Sequence, residues 1–298
     1  MKRIAALPTI LTLGTGFCGF MSLWYILKAR TFTANASPFA DFMETAGWMV
    51  LLAMVFDALD GKVARMVKAE SDFGAQLDSL ADVISFGVAP ACMVVAMSTE
   101  IYQIGEVSSK ALAQFGWAAA SVFMLCAMMR LARFNVESNH DSEGTMYFAG
   151  LPAPAAGGFV AALVMMRYNI EGVVAAQQQA VKTMAATQEQ ISAMYGPVPA
   201  KLLPLMEPMA TYLPFLAIAL AILMVSRIRY VHVLNKLLAD QERFSYVILI
   251  LIGALFFYFT WLFSIPLAFL IYIIWGLVGG IRSSLRDKKA LLEEDEGP

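Results

Sequence analysis

The sequence predicts an all-α polytopic membrane protein, a bundle of about eight transmembrane helices with both termini in the cytoplasm. Three observations predict it. Of 298 residues, 59% are hydrophobic and 15% charged, with a mean hydropathy of +0.67, whereas a soluble domain carries roughly a quarter of charged residues. The apolar residues gather in runs of about 18–25, long enough to cross a bilayer as helices. Lipid offers the backbone no hydrogen-bond partners, so runs of this kind satisfy themselves as helices.

Taken in order, the spans fall near 8–27, 40–57, 73–98, 111–132, 151–167, 209–226, 246–263 and 265–281. The first follows Lys2-Arg3 and is read as a span, not a cleaved leader, despite Ala34-Asn35-Ala36 beyond it. The second continues past the membrane as a polar helix to about Lys68. Ser264 and Pro266 mark a tight turn between the last two. Residues 1–298 read as a single integral membrane domain. Within it, 168–208 is an extracytoplasmic insertion, 209–281 holds the C-terminal spans and 282–298 is a cytoplasmic tail. Val174, Val181, Met184, Ile191 and Met194 give the insertion an amphipathic helical pattern, which the Pro197, Pro199, Pro204 and Pro208 series ends before the sixth span.

Lys and Arg set the orientation. With the N-terminus inside, 15 of the 21 lie in cytoplasmic segments, from Lys2 and Arg3 through Lys62, Arg65 and Lys68 to the Arg282–Lys289 cluster. That cluster reads as a headgroup anchor. The expected location is a bacterial inner (cytoplasmic) membrane, with the site facing the cytoplasm. Cys18, Cys92 and Cys126 sit in apolar runs without metal-ligand spacing and read as small core residues.

The chemistry concentrates between spans two and three. Asp57-Ala58-Leu59-Asp60-Gly61-Lys62-Val63-Ala64-Arg65 is followed, eight residues on, by Gly74-Ala75-Gln76-Leu77-Asp78-Ser79-Leu80-Ala81-Asp82. At helical spacing Asp57, Asp60, Gly61 and Ala64 share one face, and Gly74, Asp78, Asp82 and Ser85 share another. A short turn makes the helices antiparallel, so the acidic faces converge. Ionised groups at membrane depth are costly and usually functional. Four neighbouring carboxylates repel one another unless cations lie among them, and all-oxygen ligands favour Mg²⁺ or Mn²⁺, one ion or two. Gly61 and Ala64 leave the first helix bare, Gly74 admits a close approach, and Arg65 can fork onto a phosphate. Together these features describe a site for a metal-bound diphosphate.

The string D-x2-D-G-x2-A-R-x8-G-x3-D-x3-D resembles, at every position, the signature of the CDP-alcohol phosphatidyltransferase family. The resemblance implies transfer of a phosphatidyl group from a CDP-lipid to an alcohol, with release of CMP. It implies that Asp57, Asp60 and Asp78 hold the metals, that Asp82 completes the metal site and acts as base, and that Gly61, Ala64, Arg65 and Gly74 bracket the CDP part. The stretches Asp78–Pro90, Arg130–Asn135 and Gly150–Ala156, with Pro8, Thr12, Phe17, Cys18 and Gly19, are similar to the phosphatidylserine synthase branch. The branch usually shows Asn where Thr9 and Thr15 stand. The resemblance covers roughly 7–165 and implies CDP-diacylglycerol and serine as substrates, with a homodimer as the assembly.

No Cys, Ser–His pair or His nucleophile lies near the motif, so direct displacement by the acceptor is expected, Asp82 taking its proton. Arg130 and Arg133 are the candidates for the acceptor's carboxylate or a lipid phosphate. Asn135 is a weaker candidate, and His140 and His232 read as solvated. Beside membrane lipids, no nucleic-acid partner is expected. The competing acceptors are glycerol 3-phosphate, inositol phosphate and choline. Phosphorylated acceptors call for a larger basic pocket than these two arginines provide. A cation transporter is the distant alternative, since transport sites lie near the midplane on interrupted helices.

Overall fold

The computed structural model of the protein describes residues 6–31, 36–67, 72–104, 110–138, 147–184, 203–226, 228–231, 262–280 and 282. Its helices are α1 (Ala6–Thr31), α2 (Ala36–Val67), α3 (Asp72–Asp82), α4 (Ala89–Ile104), α5 (Lys110–Ser138), α6 (Ala153–Met184), α7 (Leu203–Val225) and α8 (Leu262–Gly280). A π-helical segment, Val83–Val88, joins α3 to α4 without a break. Among the described residues, six stretches are long and apolar enough to cross a membrane: Leu7–Thr31, Phe39–Val63, Phe73–Thr99, Ala113–Val136, Ala153–Ala176 and Leu262–Gly280. Thr211–Val225 is a shorter apolar helix, below that length. The protein is a polytopic integral membrane bundle. The expected span 246–263 lies almost wholly outside the described residues, as does the tail beyond 282.

Small residues set how closely the helices approach. Lipid removes most of the hydrophobic drive for association, so packing and polar contacts decide it. Glu44, Gly47 and Met54 on α2 face Asn169, Met165 and Gly158 on α6, an antiparallel register. Asn169 Nδ2 donates to Glu44 Oε1 at 2.9 Å. A Cβ on Gly47 would lie 3.0 Å from the Ala161 carbonyl oxygen, so nothing larger fits that crossing undisturbed. α1 packs antiparallel to α2, with Ser22 Oγ donating to the Ala46 carbonyl at 3.0 Å. It also runs alongside the α3–π–α4 rod. There Gly16 meets Ala81, and Gly19 leaves no space before Ser85.

The π segment sits at the middle of the bundle. Ser85, Phe86 and Gly87 are buried, Ser85 Oγ donates to the Thr15 carbonyl at 2.9 Å, and a Cβ on Gly157 of α6 would fall 2.6 Å from the Phe86 carbonyl oxygen. The wider turn of a π helix carries Ser85 away from the stripe of Asp78 and Asp82 and toward α1. An unbroken α-helical stripe from Gly74 to Ser85 is therefore corrected.

Three further expectations change. α6 runs unbroken from Ala153 to Met184, so the fifth span and the start of the insertion are one rod. No Gly or Pro between 167 and 184 except Gly172 interrupts it, and a single glycine costs only about 1 kcal/mol. Pro204 lies in the first turn of α7 and Pro208 inside it. Proline lacks only an N–H that a first turn leaves unpaired, so Pro204 does not end the helix. Ser264 and Pro266 likewise are helical residues of α8, not a turn between spans.

Beside the helices, among the described residues, stands a two-stranded antiparallel ribbon. Tyr147–Ala149 pairs with Arg229–Val231, Phe148 opposite Tyr230. Gly150 follows at φ 87°, where a Cβ would meet the Met224 carbonyl oxygen at 2.2 Å. Its N–H donates to the Ile228 carbonyl, and Leu151 N–H to that of Leu223, at 2.9 and 3.0 Å. The chain entering α6 is thus bound to the end of α7.

Candidate active site

Asp57 lies on α2 about three turns before its end, and Asp78 and Asp82 lie on successive turns of α3. Each offers a carboxylate oxygen, and the three oxygens lie within 4.8 Å of one another. Asp57 and Asp78 are half-buried, and Asp82 is 6% exposed. Asp78 Oδ1 and Asp82 Oδ1 are buried with no hydrogen-bond partner. A buried, unsatisfied carboxylate oxygen is costly, and two of them turned into one acidic group suit a hard cation with oxygen ligands. The donor set therefore fits a divalent metal.

Asp60, one turn beyond Asp57 and 7% exposed, has a different neighbour. Thr12 Oγ1 of α1 donates to Asp60 Oδ2, with the Pro8 carbonyl as its alternative acceptor. α3 is fastened from its other side. Asn135 Nδ2 of α5 donates to Ser79 Oγ at 2.8 Å, and the Ser79 hydroxyl reaches the Ala75 carbonyl at 3.0 Å. Ser79 adjoins Asp78, so the α5 contact helps fix where that carboxylate points.

A positive charge comes from the same helix. Arg130 of α5 is half-buried, lies with its guanidinium 5.5 Å from the Phe134 ring centre, and is within electrostatic range of Asp82, Asp57 and Tyr272. Three carboxylates, an arginine beside them and helices too close for other side chains form an arrangement suited to an anion held through a cation.

The model of one protein family, described as CDP-alcohol phosphatidyltransferase, matches residues 5–278. The chain belongs to the CDP-alcohol phosphatidyltransferase family. Among curated proteins it is similar to CDP-diacylglycerol--serine O-phosphatidyltransferase of Saccharomyces cerevisiae, 36% identical over 159 residues, which is 52% of this chain and 51% of that protein. It is similar to the protein of the same name from Helicobacter pylori (strain ATCC 700392 / 26695), 35% identical over 53% of this chain and 57% of that one. A third, from Bacillus subtilis, is 30% identical over 51% of this chain and 71% of the relative. The chain spans about half the length of the first two relatives it matches.

Set against the family's signature, the residues distribute unevenly. Asp57, Asp78 and Asp82 form one group, while Asp60 stands beside it and is engaged by Thr12. Gly61 is exposed, and a Cβ there would meet nothing within 4 Å, so its face of α2 opens on free space. Gly74 lies half-buried on the first turn of α3. Ala64 and Arg65 belong to the α2 backbone, but their side chains lie outside the described residues, as do His140 and His232. Arg130 faces the acidic group, and Arg133 follows half-buried one turn along α5. Two contacts escaped the sequence reading, Thr12 on Asp60 and Asn135 on Ser79, and so did the electrostatic interaction of Tyr272 with Arg130. Thr12 and Asn135 stand in stretches already marked as family-like. Tyr272 carried no signal, because an apolar helix with a tyrosine is ordinary.

Proposed function

We propose that the chain transfers the phosphatidyl group of CDP-diacylglycerol to the hydroxyl of serine, giving phosphatidylserine and CMP. The observation that carries this is the convergence of Asp57, Asp78 and Asp82 with two unpartnered buried oxygens among them. The names of the similar proteins supply the substrates.

In this reading Asp57, Asp60, Asp78 and Asp82 hold Mg²⁺ or Mn²⁺, Asp60 with its second oxygen steadied by Thr12. Such ions, when bound, neutralise the diphosphate and the charge that develops on the departing CMP. Gly61, Ala64, Arg65 and Gly74 receive the CDP part, the bare face at Gly61 leaving room for a flat group beside the helix. Asp82, the most buried of the three grouped carboxylates, takes the proton of the acceptor hydroxyl. The alkoxide then attacks phosphorus directly, the P–O bond to serine forming as the P–O bond to CMP breaks. Arg130 and Arg133 balance the negative charge on the acceptor side. The site faces the cytoplasm of a bacterial inner membrane, in keeping with the Lys and Arg asymmetry, and the chain works as a homodimer.

One acceptor screen tests this. Detergent-purified protein, given CDP-diacylglycerol and Mn²⁺ or Mg²⁺, is expected to release CMP with serine and to form phosphatidylserine. Turnover with glycerol 3-phosphate, inositol phosphate or choline, and none with serine, would overturn the acceptor assignment while leaving the transfer chemistry in place.

A further inference from the structure

α1 is seated against both acidic helices by close contacts that fix its rotation. Thr12, Gly16 and Gly19, spaced i, i+4 and i+7, share one of its faces. A Cβ on Gly16 would lie 3.6 Å from Ala81 Cβ, beside Asp82, and one on Gly19 would run into Ser85. Nearby, a Cβ on Gly14 would stand 3.2 Å from the Phe56 ring, beside Asp57. The Thr15 carbonyl accepts from Ser85 Oγ at 2.9 Å. A helix held at these points against α2, α3 and the π segment delivers the Thr12 hydroxyl to one place, and that place is Asp60. Thr12 is 2% exposed and Asp60 7%, so little water competes for the contact.

That hydroxyl has two acceptors and one hydrogen. The Pro8 carbonyl oxygen, one turn back, lies 3.1 Å away, a bond that threonines in helices make readily. On its own helix, then, Thr12 needs no further partner. Asp60 Oδ2 is within reach of the same hydroxyl, and an ionised acceptor takes a hydrogen more strongly than a neutral carbonyl. The neighbouring carboxylates differ. Asp78 Oδ1 and Asp82 Oδ1 are buried with no donor, and with Asp57 they offer oxygens within 4.8 Å of one another. Asp60, one turn from Asp57 on the same helix, stands outside that group while Thr12 holds its Oδ2. Its Oδ1 is the oxygen left to meet a cation. Hydrogen bonds from outside the ligand set aim carboxylate ligands in this way.

We propose that Thr12 is a positioning residue of the metal site: by engaging Asp60 Oδ2 it sets Asp60 as a one-oxygen ligand and keeps it from folding onto Asp57, Asp78 and Asp82. α1 thereby contributes to cation affinity without touching the cation. The proposal rests on the reading of the four aspartates as the metal site of a phosphatidyltransferase.

Mn²⁺ titration of the detergent-purified full chain tests it, free ion being read from its electron paramagnetic resonance signal with no substrate present. Thr12→Val keeps the shape and removes the hydroxyl. Its Mn²⁺ dissociation constant is expected to rise about tenfold or more, the usual cost of losing a hydrogen bond that aims a metal ligand. Thr12→Ser keeps the donor and is expected to stay within about twofold of wild type. In an Asp60→Asn background Thr12→Val is expected to add less than about twofold, because residues acting through one contact are not additive. Thr12→Ala replaces the valine variant if that one does not fold. Unchanged Mn²⁺ affinity in Thr12→Val, even with a lower metal-free melting point, would assign Thr12 to packing and overturn the proposal. A serine variant as weak as the valine one would overturn it too, as would an equal loss in the Asp60→Asn background. Wild-type protein that binds no Mn²⁺ would remove the metal reading and this proposal together. Protein that shows the expected order of affinities yet releases no CMP with serine supports the proposal and sinks the acceptor assignment alone.

Discussion

Asp78 and Asp82 each hold one carboxylate oxygen away from water and from any hydrogen-bond donor, one turn apart on the same face of α3, and Asp57 closes the group from α2. No packing argument accounts for that expense, whereas a hard cation does. Among the three, Asp82 is the most deeply buried. Asp82→Asn keeps the shape and removes the proton acceptor. CMP release is expected to fall at least about a hundredfold, in line with the loss of a general base, while a CDP-lipid analogue still binds in a direct binding assay. Wild-type turnover in that variant would remove Asp82 from the role of base. Legibility at this scale was partial. Aspartate and glycine spacing announced the motif, because helical periodicity turns spacing directly into a shared face. The hydroxyl of Thr12 on Asp60 and the amide of Asn135 on Ser79 could not be read that way. Each contact joins helices whose relative rotation depends on packing, which no local pattern encodes.

At the scale of the element, the π segment and the glycines around it decide how the acidic helix is seated. Gly19 of α1 and Gly157 of α6 approach it from two sides, and neither has space for a side chain. Gly157→Ala would put a methyl 2.6 Å from the Phe86 carbonyl oxygen and 3.0 Å from Phe86 Cα, both backbone atoms that cannot simply swing aside. Overpacking of this kind costs about 1–3 kcal/mol, so the melting temperature in detergent is expected to drop by several degrees. Gly61→Ala is the contrasting variant: its new methyl meets nothing within 4 Å, and alanine favours a helix over glycine by about 1 kcal/mol. Its melting point is expected to hold or rise while transfer slows, since the face it covers is the one assigned to the nucleotide. The run 73–98 was legible as a helix from its apolar length. Its π turn was not, because the same residues fit an α-helix equally well until α1 and α6 are packed against them. The prolines misled for a related reason, position within a helix mattering more than presence.

On the scale of the molecule, the described part is a set of apolar helices with one acidic site set between α2 and α3, α5 alongside, and α8 on the rim. Metal binding should therefore be visible as stability. Added Mn²⁺ or Mg²⁺ stabilises only the folded site, by about 2.7 kcal/mol at a hundred times its dissociation constant. The melting point of wild-type protein is expected to rise with added ion and fall with a chelator. Asp78→Asn should lose most of that rise, and an equal rise in the variant would argue against a metal at this group. Spans and class were legible here because bilayer thickness dictates the length of apolar runs. The path of the chain after the fifth span was not, since amphipathic polar sequence continues a helix as readily as it ends one.

That continuation has a practical consequence. α6 has 32 residues, about 48 Å of rod against a hydrocarbon layer of about 30 Å. Its apolar part, Ala153–Ala176, comes first, so the stretch ending at Met184 stands clear of the lipid like a mast. An epitope inserted just after Met184 would ride at its top, in reach of antibody and remote from the chemistry. In spheroplasts of an expressing bacterium, antibody is expected to reach that tag without permeabilisation; staining that appears only after permeabilisation would reverse the assigned orientation.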